Sequence, residues 1–418
     1  MKNYFLASLF TLFAFSFAYA EKIDWKSAAR LTMKNNPSIR TARLKLESAK
    51  FAYNSILSDY LPEIVLKASA SQGENKNDFS RNYSYGLNAS LSLFSGFETY
   101  NTLKYAFAEL KAAQAGYNRA VSDAAYESAS QYVNLMWAYE TVELLKRIKE
   151  RRIENRDMIK LKYDSGNVDL GSLKRVEADM ETASFELKKA ERYIETASAA
   201  LAKAMGSANV SVIFETDERL NIEQINLPKP DFNKLVYSIP EFLAAQYGAD
   251  SHKALSAKSK SSLWPSVSLY GGISRFDDKW TPDRQGWDAG VSLSYPLFTG
   301  GKRYFDIKTA SNLFEIAQEN LKNVSGSLKS KSISLYNSLT DSFENINVKE
   351  YYLEASKLQA EISQRKYING LSSYQDWYSV ENDYINSQKT FLDAKKAAVL
   401  EKALWYNFIG EGFIEPGK

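Results

Sequence analysis

The sequence predicts an α+β membrane protein made of two copies of one unit, each with a strand hairpin and a long helical hairpin. Three observations predict it. Structure-breaking residues recur at one offset along the chain. Two segments alternate apolar with small polar residues. Most of the remainder steps in heptads without proline.

The chain begins with an export signal. Lys2 gives a positive start, Tyr4 to Phe17 is apolar apart from Ser and Thr, and Ala18-Tyr19-Ala20 is a small-x-small cleavage site. Residues 1–20 are read as the signal, and the apolar run from Tyr4 to Phe17 is too short to span a bilayer, which takes about 20 apolar residues. No later stretch reads as a transmembrane helix, so any membrane insertion falls to strands.

The repeat follows. Asn36-Pro37-Ser38 matches Ile239-Pro240-Glu241, and Leu61-Pro62-Glu63-Ile64 matches Trp264-Pro265-Ser266-Val267, both 203 residues on. Leu93-Phe94-Ser95-Gly96 matches Leu297-Phe298-Thr299-Gly300, now 204 on; so do Lys162-Tyr163-x-x-Gly166 with Lys366-Tyr367-x-x-Gly370, and Gly206 with Gly410. One inserted residue explains the drift. The expected layout is a first repeat over 21–206, with a strand hairpin at about 61–95 and a helical hairpin at about 98–205. A linker over 207–231 leads to a second repeat over 232–410, with a strand hairpin at about 264–298 and a helical hairpin at about 300–409, and a tail over 411–418.

In the strands, Tyr83, Tyr85, Leu87, Ala89, Leu91 and Leu93 point one way and Ser84, Gly86, Asn88, Ser90 and Ser92 the other. Trp287, Ala289, Val291, Leu293 and Tyr295 alternate in the same manner with Asp288, Gly290, Ser292 and Ser294. Polar loops are expected at 73–82 and 275–286. A soluble sheet with one wet face would also alternate. The export signal and the aromatics at the strand ends, among them Tyr60, Phe79, Trp264, Trp280 and Trp287, favour a membrane sheet.

In the helices, Leu173, Val176, Met180, Ala183, Leu187, Ala190, Ile194, Ala197, Leu201 and Ala204 step by three and four. Leu103, Phe107, Leu110, Tyr117, Val121 and Ala124 form a second seam, and Ala310, Phe314, Ala317, Leu321, Val324 and Leu328 a third. A helix from about Glu98 to Tyr163 would be roughly 100 Å long, with a turn at Asp164-Ser165-Gly166-Asn167 and an equivalent one at Gly370.

Four strands cannot close a barrel, and an open edge cannot sit in lipid, so copies must share one barrel. Two copies give eight strands with a filled interior; three give twelve, and the small polar inward faces favour that lumen-bearing homotrimer. Composition excludes other classes. The 418 residues contain no cysteine and one histidine, which removes disulfides, thiolate sites and His-based triads or metal clusters. His252 lies in a Ser/Ala/Lys-rich helix and reads as a surface residue. A net charge of +3 gives no reason to expect nucleic acid, no cofactor motif occurs, and no catalytic constellation marks an enzyme.

In the order and spacing of its Asn-Pro and Leu-Pro starts, Phe-x-Gly strand exits and Tyr-x-x-Gly helix tips, the chain resembles the TolC family of outer-membrane efflux channels. The resemblance implies a trimer with a twelve-strand barrel in outer-membrane lipid, a periplasmic α-barrel, and an equatorial collar holding Ser207 to Asp231 and the C-terminal tail. It implies an exit duct for an efflux pump or type I secretion system, served by an inner-membrane transporter and a periplasmic adaptor. The alternative is an exported coiled-coil scaffold without a pore.

The resemblance also marks a tip constriction. Tyr367 matches the tip tyrosine, and Asp376 matches a pore-facing aspartate. Ser372 stands where some members carry arginine, and Ser379 and Ser172 stand at further aspartate positions, with Asp169 three residues before Ser172. That implies a thinner ring of charge. Asp376 has a second reading as a helix-start residue that satisfies free backbone N–H groups. Gly166 and Gly370 supply turn geometry, and the resemblance implies that a periplasmic adaptor docks at these same glycine tips. Lys162, Lys366 and Asn167 beside them are either adaptor contacts or solvated polar groups.

Overall fold

The structure is a computed structural model that describes residues 21–75, 78–221 and 228–412. The export signal and residues 413–418 of the tail lie outside the described residues.

Each repeat sets one long helix beside two half-length helices stacked end to end. In the first, the long helix is α3 (Glu98–Asp164) and the short ones are α2 (Pro37–Leu57) and α4 (Leu170–Ala204). In the second, which opens with the one-turn helix α5 (Phe232–Leu235), α7 (Lys302–Ile368) is flanked by α6 (Pro240–Ser259) and α8 (Tyr374–Ile409). Proline fixes the start of each upper short helix, because its missing N–H is one that a first turn leaves unbonded anyway. The stacking joint is built in: Asn36 caps α2 with its carbonyl oxygen and donates its amide to Ala204 O at the end of α4, at 2.8 Å.

Both long helices have 67 residues, about 100 Å at 1.5 Å per residue. The heptad seams pack as expected. Leu173, Val176, Ala183, Leu187, Ala197, Leu201 and Ala204 are buried, and Leu328 is buried on α7. One position departs. Phe107, placed in the α3 seam, is 48 % exposed, while Ala106 and Ala108 beside it are buried. Small residues let the neighbouring helix approach closely, and the larger ring is turned outward onto Tyr53, 6.1 Å away. His252, expected at the surface, is half-buried, and its Nδ1 is buried without a hydrogen-bond partner among the described residues.

Strands β2 (Glu63–Asn75), β3 (Asp78–Phe94), β5 (Ser266–Asp277) and β6 (Arg284–Ser294) form one antiparallel sheet in the order β2-β3-β5-β6. The first predicted loop is mostly strand: β2 and β3 pair as far as Asn75 opposite Asp78, and β5 likewise runs on to Asp277. A ladder of backbone bonds continues through polar residues, which alternation in hydrophobicity does not reveal. Register aligns the faces. Leu66, Leu87, Ile273 and Trp287 lie across one row, and Lys67, Gly86, Ser274 and Gly286 across the next. The apolar face is uncovered: Ile64, Leu66, Trp287, Val291 and Leu293 are all more than 60 % exposed. No described helix is long and apolar enough to cross a membrane.

A small layer wraps α3 near its middle. Strand β1 (Glu21–Lys22) pairs in parallel with β4 (Phe214–Glu215), and α1 (Trp25–Asn35) packs beside them. Tyr132 of α3 is fully buried there, with its hydroxyl 2.9 Å from Thr216 Oγ1 and donating to Glu218 at 2.7 Å. Tyr139 donates to Phe214 O at 2.8 Å.

Candidate functional site at the hairpin tips

Both helical hairpins turn by the same device. After α3, Gly166 at φ +75° donates to Tyr163 O and Asn167 to Lys162 O; after α7, Gly370 at φ +75° donates to Tyr367 O and Leu371 to Lys366 O. This pair of bonds ends a helix with a left-handed residue, which glycine adopts without a Cβ clash.

The return helices then start on reciprocal caps. Asp169 caps α4, accepting from Ser172 N at 2.9 Å and from Ser172 Oγ at 2.7 Å. Ser373 caps α8, accepting from Asp376 N at 3.1 Å while its hydroxyl donates to Asp376 Oδ2 at 2.6 Å. Asp169 and Ser373 are 204 residues apart, as are Ser172 and Asp376. The same serine–carboxylate pair therefore occurs in both repeats with its members exchanged. The serine at position 172 leaves one acid at each turn, three residues displaced. The bond from Ser172 holds the Asp169 carboxyl below its ordinary range.

Between the hairpins lies an aromatic cluster. Tyr367 is 4 % exposed and stacks on Trp377 at 5.1 Å and 13°. Tyr374 packs on Trp377 and on Tyr378, and donates to Ser172 O across the hairpins at 3.4 Å. The first hairpin covers these rings with cations. Lys162 Nζ sits 4.6 Å from the centre of the Tyr367 ring and donates to Tyr367 O at 3.1 Å, and the Arg175 guanidinium lies 4.6 Å above Tyr378. Burial raises the Tyr367 hydroxyl above its ordinary pKa, with Asp169 adding to the effect, and pushes Tyr374 up to about 12. The Tyr367 hydroxyl, Ser372 Oγ and Trp377 Nε1 are buried without hydrogen-bond partners among the described residues.

The residues singled out from the sequence thus divide. Ser172 and Tyr367 gather where the two hairpins meet, Lys162 turns inward onto Tyr367, and Asp169 caps α4 from an exposed position. Asp376, Ser379, Asn167 and Lys366 are exposed. Asp376 serves the helix start, as its second reading has it, and its carboxylate still faces solvent.

Sequence reasoning missed a polar link higher on the hairpins. Glu381 of α8 is 1 % exposed and binds Arg151 of α3 through both oxygens, with Arg151 Nη2 to Oε2 at 2.8 Å. Asn155 adds a bond to Oε1 at 2.9 Å, and the Arg151 guanidinium lies 5.0 Å from the Tyr384 ring. Arg152 reaches Asn382 Oδ1 at 2.5 Å and lies 3.6 Å from Asp179.

Comparison with known proteins gives a consistent picture. The chain is 21 % identical over 399 residues to the probable outer membrane lipoprotein SilC of Salmonella typhimurium, covering 92 % of this chain and 85 % of that one. It is 21 % identical over 397 residues to the cation efflux system protein CusC of Escherichia coli O157:H7, covering 91 % and 84 %. The fold matches crystal structures of CusC with TM-score 0.84 at 17 % identity, covering 97 % of each chain. It matches the outer membrane protein VceC of Vibrio cholerae with TM-score 0.82 at 18 % identity, covering 93 % of this chain and 97 % of that one. The profile of the family described as Outer membrane efflux protein matches residues 29–207 and 234–409. With both repeats matched, the chain belongs to the outer membrane efflux protein family.

Proposed function

We propose that three copies of this chain close a twelve-strand barrel in the outer membrane and a helical duct below it, and that the assembly is the exit duct of a tripartite efflux pump. The observation that carries this is the sheet: four strands with β2 and β6 as open edges and one uncovered apolar face. Lipid satisfies the face, and only pairing between copies satisfies the edges. The long helix α7 supports the same reading, since Ile316, Val348, Tyr351, Tyr352 and Leu358 along it are all about half exposed or more.

The tips are the inner end of this duct. Asp376 and Asp169, one per hairpin, supply a sparse ring of negative charge there, while Ser372 and Ser379 contribute none. Leu161, Leu170, Ile368 and Leu371 fringe the tips, all more than half exposed, beside Lys366 and Asn167. An apolar fringe with polar neighbours suits docking of a periplasmic adaptor, which couples the duct to an inner-membrane transporter. Efflux is preferred over protein secretion because CusC is a cation efflux protein and BepC of Brucella suis an outer membrane efflux protein.

The test is cross-linking followed by single-channel recording of the detergent-extracted mature protein. A trimer with discrete, cation-preferring conductance steps is expected, and Asp376→Asn should reduce that preference. A monomer silent in the bilayer, even after the tip is loosened by replacing Lys162, would overturn the duct.

A further inference from the structure

A cleft of about 640 Å³ runs between α3, α4 and α8, well above the tips. Its floor is apolar: Ala138, Leu144 and Leu145 of α3, with Leu392 of α8 and Ala190 of α4 at the sides. Trp137 and Tyr193 form an aromatic corner, ring centroids 5.8 Å apart and perpendicular. The tip-side end is closed by an ion pair between Lys389 of α8 and Glu186 of α4, at 2.6 Å.

Charge in the cleft is unbalanced. Lys189, Arg192, Lys389 and Lys396 line it against two acids, Glu186 and Asp393. Glu186 is taken by Lys389, and Asp393 accepts the indole N–H of Trp137 at 3.0 Å. Lys189, Arg192 and Lys396 have no acid at ion-pair distance among the described residues. Lys396 instead lies over the Trp137 ring at 4.1 Å, half-buried. Burial lowers its pKa, and the nearby Asp393 charge offsets this only in part. Thr141, also in the lining, has a buried hydroxyl without a partner among the described residues.

From these groups we infer that the cleft is a binding site for amphiphilic organic anions. The apolar or aromatic body would lie along Leu144, Leu145 and Trp137. The acid group would take Lys396 away from the indole face and receive the Thr141 hydroxyl, with Lys189 and Arg192 at the rim. Both volume and lining are those of small-molecule sites: mostly apolar, with a few convergent polar groups. A cation is disfavoured here, because four basic side chains line the cleft against two acids.

The cleft lies on the face of α3 opposite Tyr139 and Glu143, which contact the layer formed by residues 214–220. In the trimer proposed above that added layer sits on the convex outer side, so the cleft opens onto the duct. That location rests on the duct reading; the binding itself does not.

The test is equilibrium dialysis of the full mature protein in lipid nanodiscs, with empty nanodiscs as the blank. The probes are 2-naphthalenesulfonate, its neutral analogue 2-naphthalenemethanol and its cationic analogue 2-naphthylmethylammonium. The sulfonate should bind saturably, about tenfold tighter than either analogue. Lys396→Gln should remove that preference, Lys396→Arg should keep it, and thermal melting should show both variants folded. Equal binding of the three probes would mean an apolar patch only and would overturn the site, as would sulfonate binding unchanged in Lys396→Gln or absent from the parent protein. Sulfonate binding by a preparation without conductance steps would uphold the site and count against the duct.

Discussion

Glu381 and Arg151 form a two-pronged ion pair that joins the two helical hairpins inside the wall of the molecule, with the carboxylate almost wholly buried. Removing one member leaves the other charge without its partner, which costs about 3–5 kcal/mol in buried pairs. Arg151→Met should therefore lower the melting temperature sharply. The double variant Arg151→Met/Glu381→Leu should recover most of the loss, because two apolar side chains leave no orphaned charge. Calorimetry of the two variants and the parent checks both statements.

Lys162 holds the tips by its position on Tyr367. A cation over a ring together with a hydrogen bond to a carbonyl contributes about 1–2 kcal/mol. In Lys162→Met, backbone amides at the ends of α3 and α7 should exchange about tenfold faster with solvent, with the middle of α3 unchanged. Exchange measured by mass spectrometry on tip peptides distinguishes this from general loosening.

Alkaline pH should act on Tyr374. Its ordinary value is 10.0 and burial takes it to about 12. An unfolded chain releases this proton first, so the folded tip keeps its full advantage below pH 10 and loses it as pH rises toward 12. The melting temperature should therefore fall more steeply over that range in the parent than in Tyr374→Phe, whose ring has no proton to lose. Equal slopes would remove Tyr374 from the alkaline response.

Four glycines share one backbone conformation but differ in surroundings. Gly166 and Gly370, at φ +75°, have nothing within 4 Å of where a Cβ would stand. Gly206, at φ +74°, would bring that atom to 2.5 Å from Asn35 O, and Gly410, at φ +83°, to 2.5 Å from Pro240 Cγ. Gly166→Ala should cost the backbone share alone, about 1–2 kcal/mol. Gly206→Ala should cost more, because it also forces apart the joint between α4 and α2. Chemical denaturation of the two variants tests the ordering.

The repeat and its hinges were legible because they rest on proline and glycine, whose backbone demands do not depend on context. The coiled seams were legible where leucine and valine carry them, as from Leu173 to Leu201. They failed at Phe107, where alanine makes the contact and the larger ring gives way. The Arg151–Glu381 pair was hidden for a different reason. Glu177 is the repeat equivalent of Glu381, yet it pairs with Lys174 on its own helix and stays partly exposed. At the position equivalent to Arg151 the second repeat has Ala355. Identical residues at matched positions thus meet opposite environments, decided by a partner 230 residues away. At the tips, single residues suggested an aspartate lost at 172; the exchange of serine and acid between positions three apart emerges only when both caps are seen.

The two long helices, alike in length, differ in self-sufficiency. Nineteen side chains of α3 are buried within the chain, against six of α7. The surroundings of α3 are therefore completed within one chain, by α2 and α4 of its own repeat and by α6 and α8 of the other, whereas α7 keeps faces that the proposed trimer would cover. If the proposed trimer forms, dilution should act unevenly, loosening α7 while α3 persists, and the lifetime of a lone copy becomes a question of how soon it meets others.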